Sequence, residues 1–265
     1  MILDPNPNPF PAPWAVAWGE DRYGLWQAFE IEGVRQVMRW IVPGRFEMGS
    51  PKDEPERRDN ETQHTVTLGK GYWLADTACT QELWQAVMGD NPAHFKDDPQ
   101  CPVEQVSWDE CQDFVIAVNK RLPDDPRLHL PREAEWEHAC RAGGTGPFSW
   151  GDGLSTDQAN YNGNYPYADA PEGEYRQRTL EVLSFKPNGW GLFQMHGNVW
   201  EWCADRLGNY LAGPVTDPAG PDEGRGRVLR GGSWSNFGRS LRSAYRDGFQ
   251  PDVRRGSIGL RLAGG

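Results

Sequence analysis

Between Val34 and Met48 the chain reads VRQVMRWI and then GRFEMGS, with Pro43-Gly44 at the join. The alternation through Val37, Arg39 and Ile41 predicts two strands, and the Pro-Gly turn signal predicts that they form a hairpin. Pro51 to Gln63 is a charged loop, and His64 to Leu68 resumes a strand. Thr80 then offers a cap to a helix whose Leu83, Trp84, Val87 and Met88 share one face. Ser107 and Glu110 have the spacing of a capping box, opening a second helix with Cys111, Phe114, Val115, Val118 and Leu122 as its apolar stripe. Pro131 to Arg141 reads as a short third helix, with Pro at its start and Gly143 past its end. From there to the C-terminus no helical period returns, and Gly, Asn, Pro and Trp dominate. The pattern predicts an α+β fold that is irregular and loop-rich, with small twisted antiparallel sheets and few helices.

Composition sharpens this picture. Thirteen Trp, 31 Gly and 22 Pro among 265 residues imply many turns and aromatic plugs in a core with little regular structure. A chain of this length fits one large domain or two small ones. Residues 1–30 read as a Pro-rich arm and lead-in, and 31–265 as the folded domain. The N-terminus, MILDPNPNPFPAPW, lacks the basic and apolar regions of a signal peptide. Mean hydropathy is −0.74, and no run approaches the ~20 apolar residues of a membrane helix. Cys79, Cys101, Cys111, Cys140 and Cys203 are odd in number and form no CxxC pair. Reduced, buried thiols in a cytoplasmic protein is the expectation.

Charge is unevenly placed. Arg225 to Arg261 holds nine Arg and two Asp, a net +7, so the rest of the chain carries −18 of the overall −11. Arg suits bidentate buried pairs, so these arginines are expected to pair with acidic residues of the body. The overall acidity argues against a nucleic-acid partner. This same segment is framed by Arg230-Gly231-Gly232-Ser233-Trp234 and Ile258-Gly259-Leu260-Arg261-Leu262, around an interior without hydrophobic period. A rigid frame holding irregular chain suits a binding surface; an ordinary hairpin with a long loop has the same appearance.

GRFEMGS (44–50), DTACTQELWQAVMG (76–89), PVEQVSWDE (102–110), LPREAEWEHACRAG (130–143), PNGWGLFQMHGNVWEWCAD (187–205) and RVLRGGSW with IGLRLA resemble the formylglycine-generating-enzyme (sulfatase-modifying factor) domain. The resemblance runs in order over nearly the whole chain and implies a variant of the C-type lectin fold. In the enzymes of that family two cysteines after the GGS motif bind copper; here Asn236 and Leu241 stand nearest those positions, and no cysteine follows Cys203. Cu(I) favours thiolates, so that oxidase activity is not expected, nor any redox cofactor. The related sulfoxide synthases take iron ligands from a helical domain that this sequence lacks. His64, His94, His129, His138 and His196 are scattered; His196, beside the GNVWE motif, is a candidate ligand or a core residue.

The resemblance also implies structural Ca²⁺, for which oxygen ligands are suited. One set would be Gln194, Gly197, Val199 and Glu201, the middle two through backbone carbonyls. A second would be Asn160, Tyr161, Glu174 and Arg176. Finally, the C-terminal frame resembles a non-catalytic branch of the same fold, the variable proteins of diversity-generating retroelements. There, Asn codons in a template are rewritten at adenines. The frame is retained at GGSW, Arg239, Leu241 to Ala244, Arg246, Pro251-Asp252, Arg254 and Ile258-Gly259. Departures fall at Ser235, Phe237, Ser240, Asp247, Phe249, Val253, Gly256 and Ser257, each reachable from AAC through its first two bases; Gln250 is not. With Asn236, Tyr245, Gly248 and Arg255, these form the expected ligand-binding surface for a protein or other macromolecular partner. The alternatives are a metal-dependent oxidase or sulfoxide-synthase-like enzyme, or an accessory domain for a partner enzyme.

Overall fold

The computed structural model describes residues 6–123, 127–224 and 226–265. β1 (Ala17–Asp21) and β2 (Gly24–Ile31) form a hairpin, and β3 (Val34–Ile41) follows through a turn at Glu32-Gly33, both with positive φ. The boundary expected at residue 30 therefore falls inside a strand. The lead-in is part of the domain: Trp14 meets the edge of Phe29 with ring centroids 6.3 Å apart, and both belong to the main core. The Pro-rich composition of the first residues had masked the strand that follows them.

The hairpin expected across Pro43-Gly44 does not form. β3 pairs instead with β6 (Tyr72–Ala75), while β4 (Gly44–Met48) pairs with β5 (His64–Leu68) in a different sheet. A two-residue hairpin turn needs positive φ at its first position, which β-branched Val42 resists. The type I′ turn needs it at the second as well, which the Pro43 ring forbids. The Pro-Gly signal marks a crossing between sheets.

The helices lie where the periodicity places them. In α1 (Gln81–Met88) the Thr80 hydroxyl accepts from Leu83 N at 3.1 Å. In α2 (Trp108–Arg121) both capping-box bonds form, at 2.9 and 3.2 Å. Trp84 of α1 stacks on Phe114 of α2 at 4.9 Å, the centre of the apolar stripe. α3 (Glu133–Arg141) closes on Ala142 and Gly143, both with positive φ.

Beyond α3 the chain forms β7 (Trp200–Arg206), β8 (Val215–Thr216), β9 (Arg227–Arg230), a 3₁₀ turn at Gly238–Leu241, β10 (Arg246–Phe249), β11 (Ile258–Gly259) and β12 (Ala263–Gly264). Three sheets result, ordered β1-β2-β3-β6-β12, β10-β9-β7-β11 and β4-β5-β8. Two pairings, β7 with β11 and β5 with β8, are parallel; the others are antiparallel. No helix among the described residues is long and apolar enough to cross a membrane.

Four arginines of the Arg-rich segment pair internally, as the charge pattern led one to expect, while Arg239, Arg254 and Arg255 are exposed. Arg230 pairs with Glu137 and Glu133, Arg242 with Glu54 at 2.6 Å and Glu61 at 2.8 Å, Arg246 with Glu133 at 2.6 Å, and Arg261 with Glu201 at 2.8 Å. These four arginines are among the largest fully buried side chains. All five cysteines are free and buried.

Candidate functional site

β9 delivers the chain to Gly231 and Gly232, both with positive φ, where it leaves the sheet and enters the irregular segment. At Gly232 the requirement is steric as well, because a Cβ there would meet the Ser240 carbonyl oxygen at 2.8 Å. Trp234 is the hub beyond the turn. Its indole N–H donates to Gly256 O at 2.8 Å, and its ring contacts Phe95 edge-on at 5.4 Å and stacks on Tyr175 at 6.2 Å. The indole N–H thus ties residues 233–237 to residues 255–257. Asn236 O accepts from Asn162 N at 3.0 Å, and Phe237, 41 % exposed, packs on Tyr165 with ring centroids 4.2 Å apart. Further along, the Arg255 guanidinium sits 4.5 Å over the Phe249 ring. Phe249 and Val253 are half-buried against the core.

Three of the expected surface positions are not available to a ligand. Ser240 and Tyr245 are buried, each 5 % exposed. Ser240 lies within the 3₁₀ turn, and the Tyr245 ring is enclosed by Trp200, Arg58 and Arg242. Gly248 is half-buried on β10, but a Cβ there would meet Arg227 O at 2.5 Å, so the backbone contact excludes any side chain. Asp247 is half-buried beside it. Tyr165, Tyr175, Phe95 and His94 were missed by sequence reasoning. They come from distant aperiodic loops, and the one available signal was the aromatic content of those loops.

Beneath the hub lies Glu104, with no exposed surface. Its Oε1 accepts from Phe95 N at 2.8 Å, while Oε2 has no partner among the described residues. A Cβ at Gly256 would sit 3.4 Å from that oxygen. Burial raises this carboxyl above its usual range, against the Phe95 and His94 amides.

The GGS-following turn is held from behind by His196. Its Nδ1 lies 2.7 Å from Leu241 O and its Nε2 accepts from Ser149 N at 3.1 Å, which fixes the proton on Nδ1. Burial lowers its pKa to about 4. Cys140 Sγ lies 3.6 Å from Nε2, but burial pushes this thiol up to about 12, so the pair is a packing contact. His196 is the core residue that the scattered-histidine pattern allowed, and its ring holds the carbonyl of Leu241.

The residues at 194–201 do not fit a cation. Both Glu201 oxygens are taken, by Arg261 at 2.8 and 3.0 Å and by the Trp136 indole at 2.7 Å. Gln194 is spent on Glu181 O at 2.7 Å and on Asn198. Gly197 passes so close to Asn160 that a Cβ would meet the Asn160 carbonyl at 2.5 Å. The second set fits better. Asn160 is 1 % exposed and its Oδ1 has no partner among the described residues. A bridge between Asn162 and Tyr175 brings Glu174 and Arg176 alongside. The Glu174 carboxylate is 63 % exposed and, among the described residues, is bound to Arg176, at 3.0 Å.

Comparison with known proteins places these features. The sulfatase-modifying factor enzyme 1-like domain matches residues 29–264. The formylglycine-generating enzyme of Streptomyces coelicolor is 38 % identical over 175 residues, covering 62 % of this chain and 53 % of that protein. That of Thermomonospora curvata is 35 % identical over 205 residues, covering 72 % and 63 %. The chain thus spans only 53 % and 63 % of the length of these two relatives. Among solved structures, Treponema denticola variable protein 1 aligns over 90 % of this chain and 98 % of its own, with 29 % identity and a TM-score of 0.75.

Proposed function

The chain belongs to the sulfatase-modifying factor enzyme 1-like domain family, and within it we propose a non-catalytic ligand-binding protein whose C-terminal segment is the recognition face. The observation that carries this reading is the turn after GGS. It presents Asn236 and buried Leu241 where copper-dependent relatives would need thiolates, and the free cysteines lie elsewhere in the core. What remains outward there is a contact surface: Phe237 on Tyr165, then Trp234, then Gly256 and Arg255, held by buried ion pairs. Aromatic side chains give large contact area at low entropy cost, and Ser, Asn and Gly supply adaptable contacts. The near full-length likeness to a variable protein supports the same reading. The partner is a protein or other macromolecule, and five unpaired thiols suit a reducing, cytoplasmic setting. A structural Ca²⁺ belongs in this reading to the Asn160 loop, where it would supply charge to an unpaired carbonyl oxygen.

The test is the DNA around the gene. We expect a near-copy of the segment encoding residues 231–262, differing only where the copy has adenine, next to a reverse transcriptase. Differences scattered without regard to adenine, or no copy at all, would remove the diversification. A second reading, an oxidase, is favoured by the identity to formylglycine-generating enzymes. Oxygen consumption by the copper-loaded protein with a cysteine peptide decides it: turnover would establish the enzyme and end the binding-protein proposal.

A further inference from the structure

A separate cleft lies between β4 and α3, and none of its lining residues belongs to the C-terminal segment. It holds about 560 Å³; Val42, Pro43, Phe46 and Trp190 form its apolar side, and Arg45, Glu47, Gln63, Arg141 and Thr145 its polar side, with His138 between them. Val42 is 44 % exposed, an apolar side chain left uncovered at the rim. Ligand sites are typically clefts with aromatic walls and a few polar groups that fix orientation.

The buried polar group of this cleft that lacks a partner is His138. It is 6 % exposed, held between Phe46 at 5.0 Å and Trp190 at 4.9 Å, and its buried Nδ1 has no hydrogen-bond partner. Neither ring nitrogen is bonded among the described residues, whereas His196, equally deep, is bonded through both. Gly44 covers the other nitrogen: a Cβ at 44 would come within 3.2 Å of Nε2, so only glycine leaves that approach open. For packing alone, phenylalanine at 138 would serve without burying an unpaired polar group.

We propose that this cleft binds a planar aromatic small molecule that hydrogen-bonds the His138 imidazole and packs on Trp190 and Phe46. Flat walls select a flat ligand, and the offset and edge-on ring geometry already present is the arrangement aromatic groups prefer. Burial lowers the His138 pKa to about 4, so the imidazole is neutral at pH 7 and one ring nitrogen is free to accept a hydrogen bond.

Phenol and indole are the probes, titrated into protein carrying ¹⁵N-histidine. The expected result is a saturable shift of the His138 ring nitrogens at millimolar probe, with His64 and His129 unmoved. His138→Phe should abolish saturation-transfer signals from both probes while melting at the same or a higher temperature. Gly44→Val, which leaves the imidazole in place, should weaken binding at least tenfold. Ring nitrogens unmoved up to probe solubility, undiminished binding in either variant, or a lower melting temperature for His138→Phe would each overturn the proposal.

Discussion

A single missing side chain shapes the centre of the proposed recognition face. Gly256 has ordinary backbone geometry and an open Cβ direction, and that direction points at the unpaired Oε2 of Glu104 from 3.4 Å. A buried acceptor without a donor costs about 1–3 kcal/mol, and a supplied donor recovers part of it. Gly256→Ser should therefore stabilise the fold by ~1 kcal/mol, while Gly256→Asp, which sets a like charge beside it, should destabilise by a similar amount. Urea unfolding of the pair reads the difference, and two variants shifting the same way would dismiss Glu104 as the cause. None of this was legible in the sequence. Gly256 appeared as one surface position among many, and Glu104 as part of the PVEQVSWDE motif. Ser240 and Tyr245 erred in the other direction. Their spacing in the Arg-rich segment gave no clue that a 3₁₀ turn and a ring enclosure would bury them, because aperiodic chain carries no inside–outside signal.

At the scale of elements, what was legible is what has a period or a cap. The three helices followed from Thr80, from Ser107 with Glu110 and the stripe through Phe114, and from Pro131 and Gly143 at the ends of the third, all local features. The pairing of β3 and β4 was not, since strand partners are chosen by contacts far away in sequence. Two segments show such long-range ties. The charged loop 51–63 is fastened to the 3₁₀ turn by Arg242, which bonds Glu54 and Glu61. Arg242→Leu would leave both carboxylates buried without their cation and should cost about 3–5 kcal/mol, measured by the urea midpoint. A loss below ~1 kcal/mol, typical of an exposed pair, would show the loop to be dispensable. The Asn160 loop makes the second case. If Ca²⁺ occupies Asn160 Oδ1 and the Glu174 carboxylate, millimolar Ca²⁺ should raise the melting temperature by roughly 2–4 °C per kcal/mol of binding energy. Glu174→Ala should abolish that rise and leave the melt in EDTA unchanged. Identical melts of the parent protein in Ca²⁺ and in EDTA would refute occupancy.

For the molecule as a whole, the buried titratable groups oppose one another. Burial raises Asp76 to about 7 despite Arg261 and Arg39, and raises Asp205 to about 7 with help from Glu133. Burial also lowers His138 and His196 to about 4. Between about pH 4 and 7 each aspartate binds more protons folded than unfolded, so each makes stability fall as pH rises. Between about pH 4 and 6.5 each histidine binds fewer protons folded than unfolded, so each makes stability rise; that gain is lost as pH drops back toward 4. At 1.36 kcal/mol per pH unit each aspartate is worth roughly 4 kcal/mol and each histidine roughly 3 kcal/mol across its window, so the two pairs offset each other in large part. Glu54 and Glu104, raised by burial, and Glu137, lowered because Arg141 and Arg230 outweigh its burial, add smaller opposed slopes. Asp205→Asn removes one falling slope, while its amide oxygen can still accept the Glu133 N–H that Asp205 holds at 2.7 Å. Relative to the parent, its stability should climb by ~1.4 kcal/mol for each pH unit from 4.5 to 6.5. Urea midpoints at those two pH values measure this. Parallel profiles for the two proteins would mean that Asp205 is ionised throughout, and that the cavity beneath Gly220 is wetter than its packing implies.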